Sequence, residues 1–255
     1  MADREGYSLL VDIGTNGEMV LGNCSRMVCC ATAAGPALEG ASIKCGMRGA
    51  AGAIDHVRTE NGRLVVHTVQ DIAAKGICGS GLVDLAAVLC EARLVNKRGR
   101  LSKPEDAGSY APLFTEVNGQ RALLLAADVP GEPIFIDQED IREIQLAKGA
   151  VRAGIEVLMQ EMRITADQIE TVYLAGAFGS YMSAVSACKI GLLPATILPK
   201  VKTVGNSAGQ GAILAARDDS CFAEMEKLAN RMEYVELSGQ KDFQNIFARH
   251  MVFEL

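Results

Sequence analysis

Ser8-Leu9-Leu10-Val11-Asp12-Ile13-Gly14-Thr15-Asn16-Gly17-Glu18-Met19-Val20 is the stretch on which the reading of the whole chain turns. Leu9, Leu10, Val11 and Ile13 form a short apolar run that reads as a buried strand. Asp12 interrupts the run just before Gly14. A carboxylate there needs hydrogen-bond donors, a cation or a solvated cleft, because burying it alone is costly. Gly14 to Gly17 make a tight turn, and Met19, Val20 and Leu21 begin a second strand, so the stretch reads as a hairpin with an acid at its mouth. Such a turn exposes backbone N–H groups beside a hydroxyl and an amide. These can wrap a phosphate while Asp12 reaches Mg²⁺ through water. A blander reading stands beside it: Asn-Gly is the commonest two-residue hairpin turn, and Asp before Gly occurs in many loops that bind nothing.

Around this hairpin the chain has 255 residues, 49% hydrophobic and 22% charged, enough for one large domain or two small ones. Few aromatics, no Trp and 26 Gly point to an α/β protein with many tight turns and aliphatic packing. A net charge of −6 without a long basic run argues against nucleic acid or an acidic membrane surface as the main partner. Met1 to Tyr7 is polar and no run approaches a membrane span, so a cytoplasmic location is expected. The 8 Cys are expected as reduced thiols. Cys24 and Cys29 open with a plant-type iron–sulfur spacing, but the next ligand would fall on Thr32, so no cluster is expected in this chain. His56, His67 and His250 lack partners at zinc spacing and read as surface residues, and no metal-ligand set is expected.

Along the chain, Met27 to Ala33 continues the meander as a third strand. Pro36 suits the first turn of a helix. Ala53–Arg58 and Arg63–Val69 flank Asn61-Gly62, and a further hairpin is centred on Asn118-Gly119. Gly76-Ile77-Cys78-Gly79-Ser80-Gly81 runs into Leu82, Leu85, Ala86 and Leu89, an amphipathic helix with glycines at its start. Those glycines either host an anion on free N–H groups or permit close packing. Residues 96–135 read as an exposed excursion. Asp137 is the expected N-cap of the longest helix, ending near Met162. On its edge Lys148 either meets a nucleotide or lays its stem on apolar surface with its amine in water, and the residues by themselves favour the second. Glu170 to Ala175 is a strong strand that empties into Gly176-Ala177-Phe178-Gly179. Lys200 to Val204 repeats that pattern into Gly205-Asn206-Ser207-Ala208-Gly209, the α/β arrangement that places a ligand at the carboxyl end of a sheet. The tail reads as a helix near Cys221 to Arg231, a strand from Glu233 to Leu237 and a last helix from Asp242.

The Asp-Ile-Gly-Thr-Asn-Gly hairpin, the Leu-Ala-Gly-Ala-Phe-Gly strand exit and Val-Gly-Asn-Ser-Ala-Gly-Gln-Gly-Ala, in that order, resemble the second half of the actin-like ATPase (ASKHA, ribonuclease H-like) fold. More closely, Ala-Ala-Gly-Pro-Ala-Leu-Glu-Gly-Ala at 33–41, Gly-Ile-Cys-Gly-Ser-Gly-Leu-Val-Asp at 76–84 and Asp-Ile-Arg-Glu-Ile-Gln-Leu-Ala-Lys-Gly-Ala at 140–150 resemble reductive activators of corrinoid-dependent methyltransferases and of the corrinoid iron–sulfur protein. The resemblance covers nearly the whole chain. It implies an α/β lobe over residues 1–255, a mixed sheet flanked by helices and one half of a two-lobed ATPase. It also implies ATP or ADP with Mg²⁺ as ligands and a role in driving inactive cob(II)alamin to cob(I)alamin. By the same resemblance, Asp12, Gly14, Thr15, Asn16 and Gly17 form the second phosphate loop, with Asp12 in the catalytic role. Gly176, Ala177, Phe178 and Gly179 form the adenosine loop, and Lys148 lines the nucleotide side.

No second Asp-x-Gly-Thr loop precedes this one and no cysteine cluster is present, so the chain is expected as the carboxyl-terminal half of such a protein, with the [2Fe–2S] group in an amino-terminal domain that it lacks. Weak ATP binding and little hydrolysis are expected of the chain alone. The implied partners are a corrinoid protein or methyltransferase system, the ferredoxin-like and first ATPase segments and, as an open alternative, a second copy of the chain. Two competing functions are a stand-alone ATPase similar to the activators of 2-hydroxyacyl-CoA dehydratases, and a non-catalytic module that docks on the corrinoid protein.

Overall fold

A computed structural model describes residues 1–126, 132–176 and 181–254. Tyr7–Ile13 (β1), Gly17–Gly22 (β2) and Met27–Thr32 (β3) pair antiparallel in the expected meander. In β1 the alternation is broken toward burial, since Leu9, Val11 and Ile13 sit in the core and Ser8 is buried with them. The turn is one residue longer than a two-residue Asn-Gly hairpin. Ile13 pairs with Gly17, leaving Gly14, Thr15 and Asn16 as the loop, and neither Asn16 nor Gly17 has a positive φ. At Asn61-Gly62 both residues are left-handed (φ 50° and 71°), and so are Asn118 and Gly119 (φ 51° and 76°), as two-residue hairpins of this twist require.

Between β3 and the longest helix the chain builds an inserted unit. It holds a 3₁₀ turn at Pro36–Glu39, then Ala53–Glu60 (β4), Arg63–Thr68 (β5) and Gly76–Ile77 (β6) in a small sheet ordered β5-β4-β6. Gly79–Glu91 (α1) follows, buried over most of its length. Phe114–Val117 (β7), Gln120–Ala126 (β8) and Ile134–Asp137 (β9) make a third sheet in that order. The expected excursion at 96–135 is therefore corrected. Its Lys97-Arg98 run is solvated, but Leu101, Ala107, Ala122, Leu123 and Ile134 are buried, because the polar run is only a cover on a folded hairpin.

Gln138–Met162 (α2) starts where it is expected, with Asp137 accepting from the N–H groups of Glu139 and Asp140 and Asp140 returning the bond. It lies across β2 and β3 at close range: a Cβ on Gly154 would stand 2.3 Å from Met19 Cε and 2.8 Å from Thr32 Cγ2. Ile169–Ala175 (β10), Ala184–Lys189 (α3), Val201–Gly205 (β11), Ser207–Arg217 (α4), Asp219–Asn230 (α5), Met232–Tyr234 (β12) and Phe243–His250 (α6) complete the chain. The main sheet is ordered β11-β10-β1-β2-β3-β12, with β10 parallel to both β1 and β11. This order brings three strand exits side by side, after Ile13, after Ala175 and after Gly205.

Candidate functional site

The strand exits form one wall of a cleft of about 740 Å³. Asp12 stands in register with Ala175 of β10 and with Glu18 of β2. Partial burial, and then the like charge of Glu18, push the Asp12 carboxyl above the usual range. Gly176 lies against it with φ 95°, where a Cβ would be 2.6 Å from Asp12 Oδ1 and 2.7 Å from the Ile13 carbonyl. Only glycine lets this strand exit pass the hairpin. At the hairpin tip, Gly14 N–H donates to the Asn16 carbonyl at 2.8 Å and Thr15 Oγ1 donates to Glu39 Oε1 at 2.8 Å. At the third exit, the Asn206 side chain caps α4 by accepting from Gly209 N–H at 2.8 Å.

The facing wall comes from the inserted unit. Arg48 and Gly49 lie at its rim, Asp55 and Val69 within it, and Cys78, Gly79 and Ser80 bring the N-terminus of α1 to the cleft. The glycines of this stretch play different structural parts. Gly79 opens on the cleft, while Gly81 beds the helix on β4, where a Cβ would meet the Ile54 carbonyl at 2.2 Å. The first turn of α1 carries no acid and Cys78 supplies no side-chain cap, so N–H groups at the cleft are available to an anion. Among the described residues no group of His, Cys, Asp and Glu is close enough to hold a metal ion by itself. A part-buried carboxylate such as Asp12 fits a hydrated cation carried on phosphate, reached through water.

The expected site residues divide. Asp12, Gly14 and Gly176 come together in the cleft, and Thr15 sits at the hairpin tip beside Glu39. Asn16 is exposed, and Gly17 belongs to β2, where a Cβ would press on Thr32 Oγ1 at 2.9 Å and Val151 Cγ2 at 3.2 Å. Ala177, Phe178 and Gly179 lie outside the described residues. Lys148 is corrected. It is fully buried, its Nζ donates to the carbonyls of His250 at 2.7 Å and Val252 at 2.6 Å, and the Phe253 ring centroid lies 5.5 Å away. Burial lowers its pKa to about 8. The carbonyls of His250, which ends α6, and of Val252 just beyond it are its acceptors, rather than a nucleotide.

The surface reading holds for His56 and His67, which are exposed, and is corrected for His250. His250 is buried and bonded to Glu156, while His56 and His67 are tied to Asp84 and Asp55. Glu39, Arg48 and Asp55 went unread as cleft residues. Asp55 had no signal in the sequence, because an irregularity of β4 between Ile54 and His56 sets its direction. No helix among the described residues is long and apolar enough to cross a membrane.

Three parallel strand exits facing a helix N-terminus across a glycine-lined cleft define an α/β lobe of the nucleotide-binding class. A family model described as the C-terminal domain of RACo, the ASKHA domain, matches residues 6–254, and the chain belongs to that family. It is 37% identical over 251 residues to the corrinoid activation enzyme RamQ of Eubacterium limosum, covering 96% of this chain and 42% of that protein. It is 27% identical over 264 residues to the [Co(II) methylated amine-specific corrinoid protein] reductase of Methanosarcina barkeri, covering 94% and 45%. A solved reductive activator for corrinoid, iron–sulfur protein matches with a TM-score of 0.91 at 36% identity, over 99% of this chain and 40% of that one. The chain thus spans less than half the length of these relatives. The actin-like, mixed-sheet fold expected from the hairpin and strand exits is the fold of the family.

Proposed function

We propose that the cleft binds ATP or ADP as the magnesium complex, and that the chain is the nucleotide-binding part of a reductive activator that uses ATP to drive cob(II)alamin to cob(I)alamin on a corrinoid protein. The observation that carries this reading is the meeting of Asp12, Gly14 and Gly176 at adjacent strand exits, opposite the uncapped N-terminus of α1. It is supported by relatives named as activators or reductases of corrinoid proteins. The Gly14–Asn16 loop and the α1 N-terminus supply donors for the phosphate chain, Arg48 supplies a cation at the rim, and Asp12 orders the water shell of the metal ion. The [2Fe–2S] group, which would deliver the electron, is assigned to another part of a longer protein. The partners follow from the same reading: a corrinoid protein, and the polypeptide carrying the first ATPase lobe.

One feature favours more than weak binding by this chain. The inserted unit gives the cleft a second wall, so the chain supplies two sides of the site rather than one. The deciding experiment is calorimetric titration of the purified chain with Mg-ATP and Mg-ADP, with and without a separately expressed segment bearing the first lobe and the cluster domain. Binding that appears or tightens at least about tenfold with the added segment, a difference of about 1.4 kcal/mol, supports a shared site. Equal, tight binding without it moves the stand-alone ATPase reading to first place. No binding under either condition removes the nucleotide reading and leaves the docking module.

A further inference from the structure

In the cleft wall opposite the phosphate hairpin, three side chains form a connected chain that the nucleotide reading leaves unused. Asp55 lines the cleft, and its Oδ1 lies 2.6 Å from His67 Nδ1. The other ring nitrogen of His67 lies 3.2 Å from Asp71 Oδ1. Asp71 is held there by an unusual turn: Gln70 and Asp71 are consecutive non-glycine residues with φ of 67° and 52°. Two such residues in a row store strain, which neighbouring structure must sustain. The same turn contains Val69, another lining residue, so the strained segment belongs to the cleft wall.

Both nitrogens of the ring face carboxylates, and the hydrogen bond and charge of Asp55, with Asp71 adding, raise the His67 pKa above its ordinary value. Slight burial, and Arg58 on the neighbouring strand β4, oppose the shift. The His56 ring, 6.1 Å away, is itself bonded to Asp84 of α1. Resting on the nucleotide reading above, we propose that His67 is a positioning residue of the cleft: clasped between Asp55 and Asp71, it fixes the Asp55 carboxylate, and its proton offsets the negative charge that this wall turns toward a bound phosphate chain. With the proton on, the three groups carry one net negative charge. With it off they carry two, and an anionic ligand is repelled more strongly.

Mg-ATP affinity should therefore be highest while His67 is protonated and fall as pH rises through its titration. The fall should be about fivefold, the effect of one charge at a hydrated site a few ångströms away. The test is calorimetric titration of Mg-ATP into the whole chain from pH 5.5 to 8.5, for the wild type and His67→Gln, with circular dichroism as the check on folding. His67→Gln keeps a donor for Asp55 but carries no titrating proton, so its profile should lack this fall, and the difference between the two removes the nucleotide's own titration. Should His67→Gln fail to fold, Asp71→Asn serves instead and should move the fall to lower pH. Superimposable profiles in folded proteins overturn the proposal while leaving the nucleotide site standing. No binding at any pH overturns both.

Discussion

On the proposed reading, Asp12 serves a ligand at the expense of the empty fold. Burial and Glu18 raise its carboxyl above the unfolded value, so the folded chain holds that proton more tightly than the unfolded one. Its contribution to stability is present below the unfolded pKa and is lost as pH rises through the raised folded value. At neutral pH the ionised group is therefore a liability, reduced by solvent screening on its open side. Asp12→Asn should raise the melting temperature of the ligand-free chain by about 2 °C at pH 7 and leave it unchanged near pH 3, while weakening Mg-ATP binding at least about tenfold. Thermal melts at the two pH values and one titration check this. A drop in melting temperature at pH 7 would mean that the carboxylate orders the hairpin instead. The place of the hairpin acid at a strand exit was legible, because Asp12 interrupts an apolar run just before Gly14. Asp55 was not, since the register of β4 around it is set by tertiary packing that leaves no mark on spacing.

At the scale of elements, α2 does two jobs that its sequence pattern separates only in part. Its apolar stripe was readable and packs on β2 and β3, with Ile144, Ala147, Val151, Ile155 and Leu158 buried. Its polar positions were harder to read, because Gln145, Lys148 and Arg152 grip backbone or side chains more than ninety positions later. Gln145 Nε2 donates to the Met251 carbonyl at 2.8 Å, Lys148 takes the two carbonyls flanking it, and Arg152 approaches Glu254 at 3.9 Å. Gly149 permits this approach, since a Cβ there would stand 3.0 Å from Met251 Cγ. Much of the 140–150 motif thus serves as a clasp on α6 and the residues after it. Lys148→Ala leaves two buried carbonyls without their donor and opens a void, a loss of about 2–4 kcal/mol. It should speed proteolysis or hydrogen exchange at 243–254 and leave Mg-ATP affinity within about twofold. A large loss of affinity in a folded variant would restore Lys148 to the nucleotide site. The turns at Asn61-Gly62 and Asn118-Gly119 were legible for the opposite reason, because their geometry is local and Asn-Gly meets it with little strain.

Across the whole molecule, burial is uneven in a way that the apolar pattern conceals. Leu9, Val11, Met19, Leu21, Val151, Val172 and Leu174 are fully buried, whereas α4 and α5 bury no residue at all. Yet those helices carry Ile213, Leu214 and Phe222, each more than half exposed, together with Met225 and Leu228. The structure sets them between β11 and β12 at the two edges of the sheet, held mainly by each other, with Met225 Cε lying 3.7 Å from where a Cβ on Gly211 would be. Few buried apolar contacts mean cheap local opening, so native-state hydrogen exchange should run through 207–230 well before it reaches β1, β10 or the middle of α2. Saturating Mg-ATP should then slow exchange at 12–14 and 78–80, which line the cleft, by a factor approaching 1 + [L]/Kd wherever opening of those amides requires release of the ligand. Residues 218–230 should hardly respond. Uniformly strong protection across 207–230 in the ligand-free chain would contradict this division, because helices that bury nothing within one molecule can be protected to that degree only by a surface supplied from outside it.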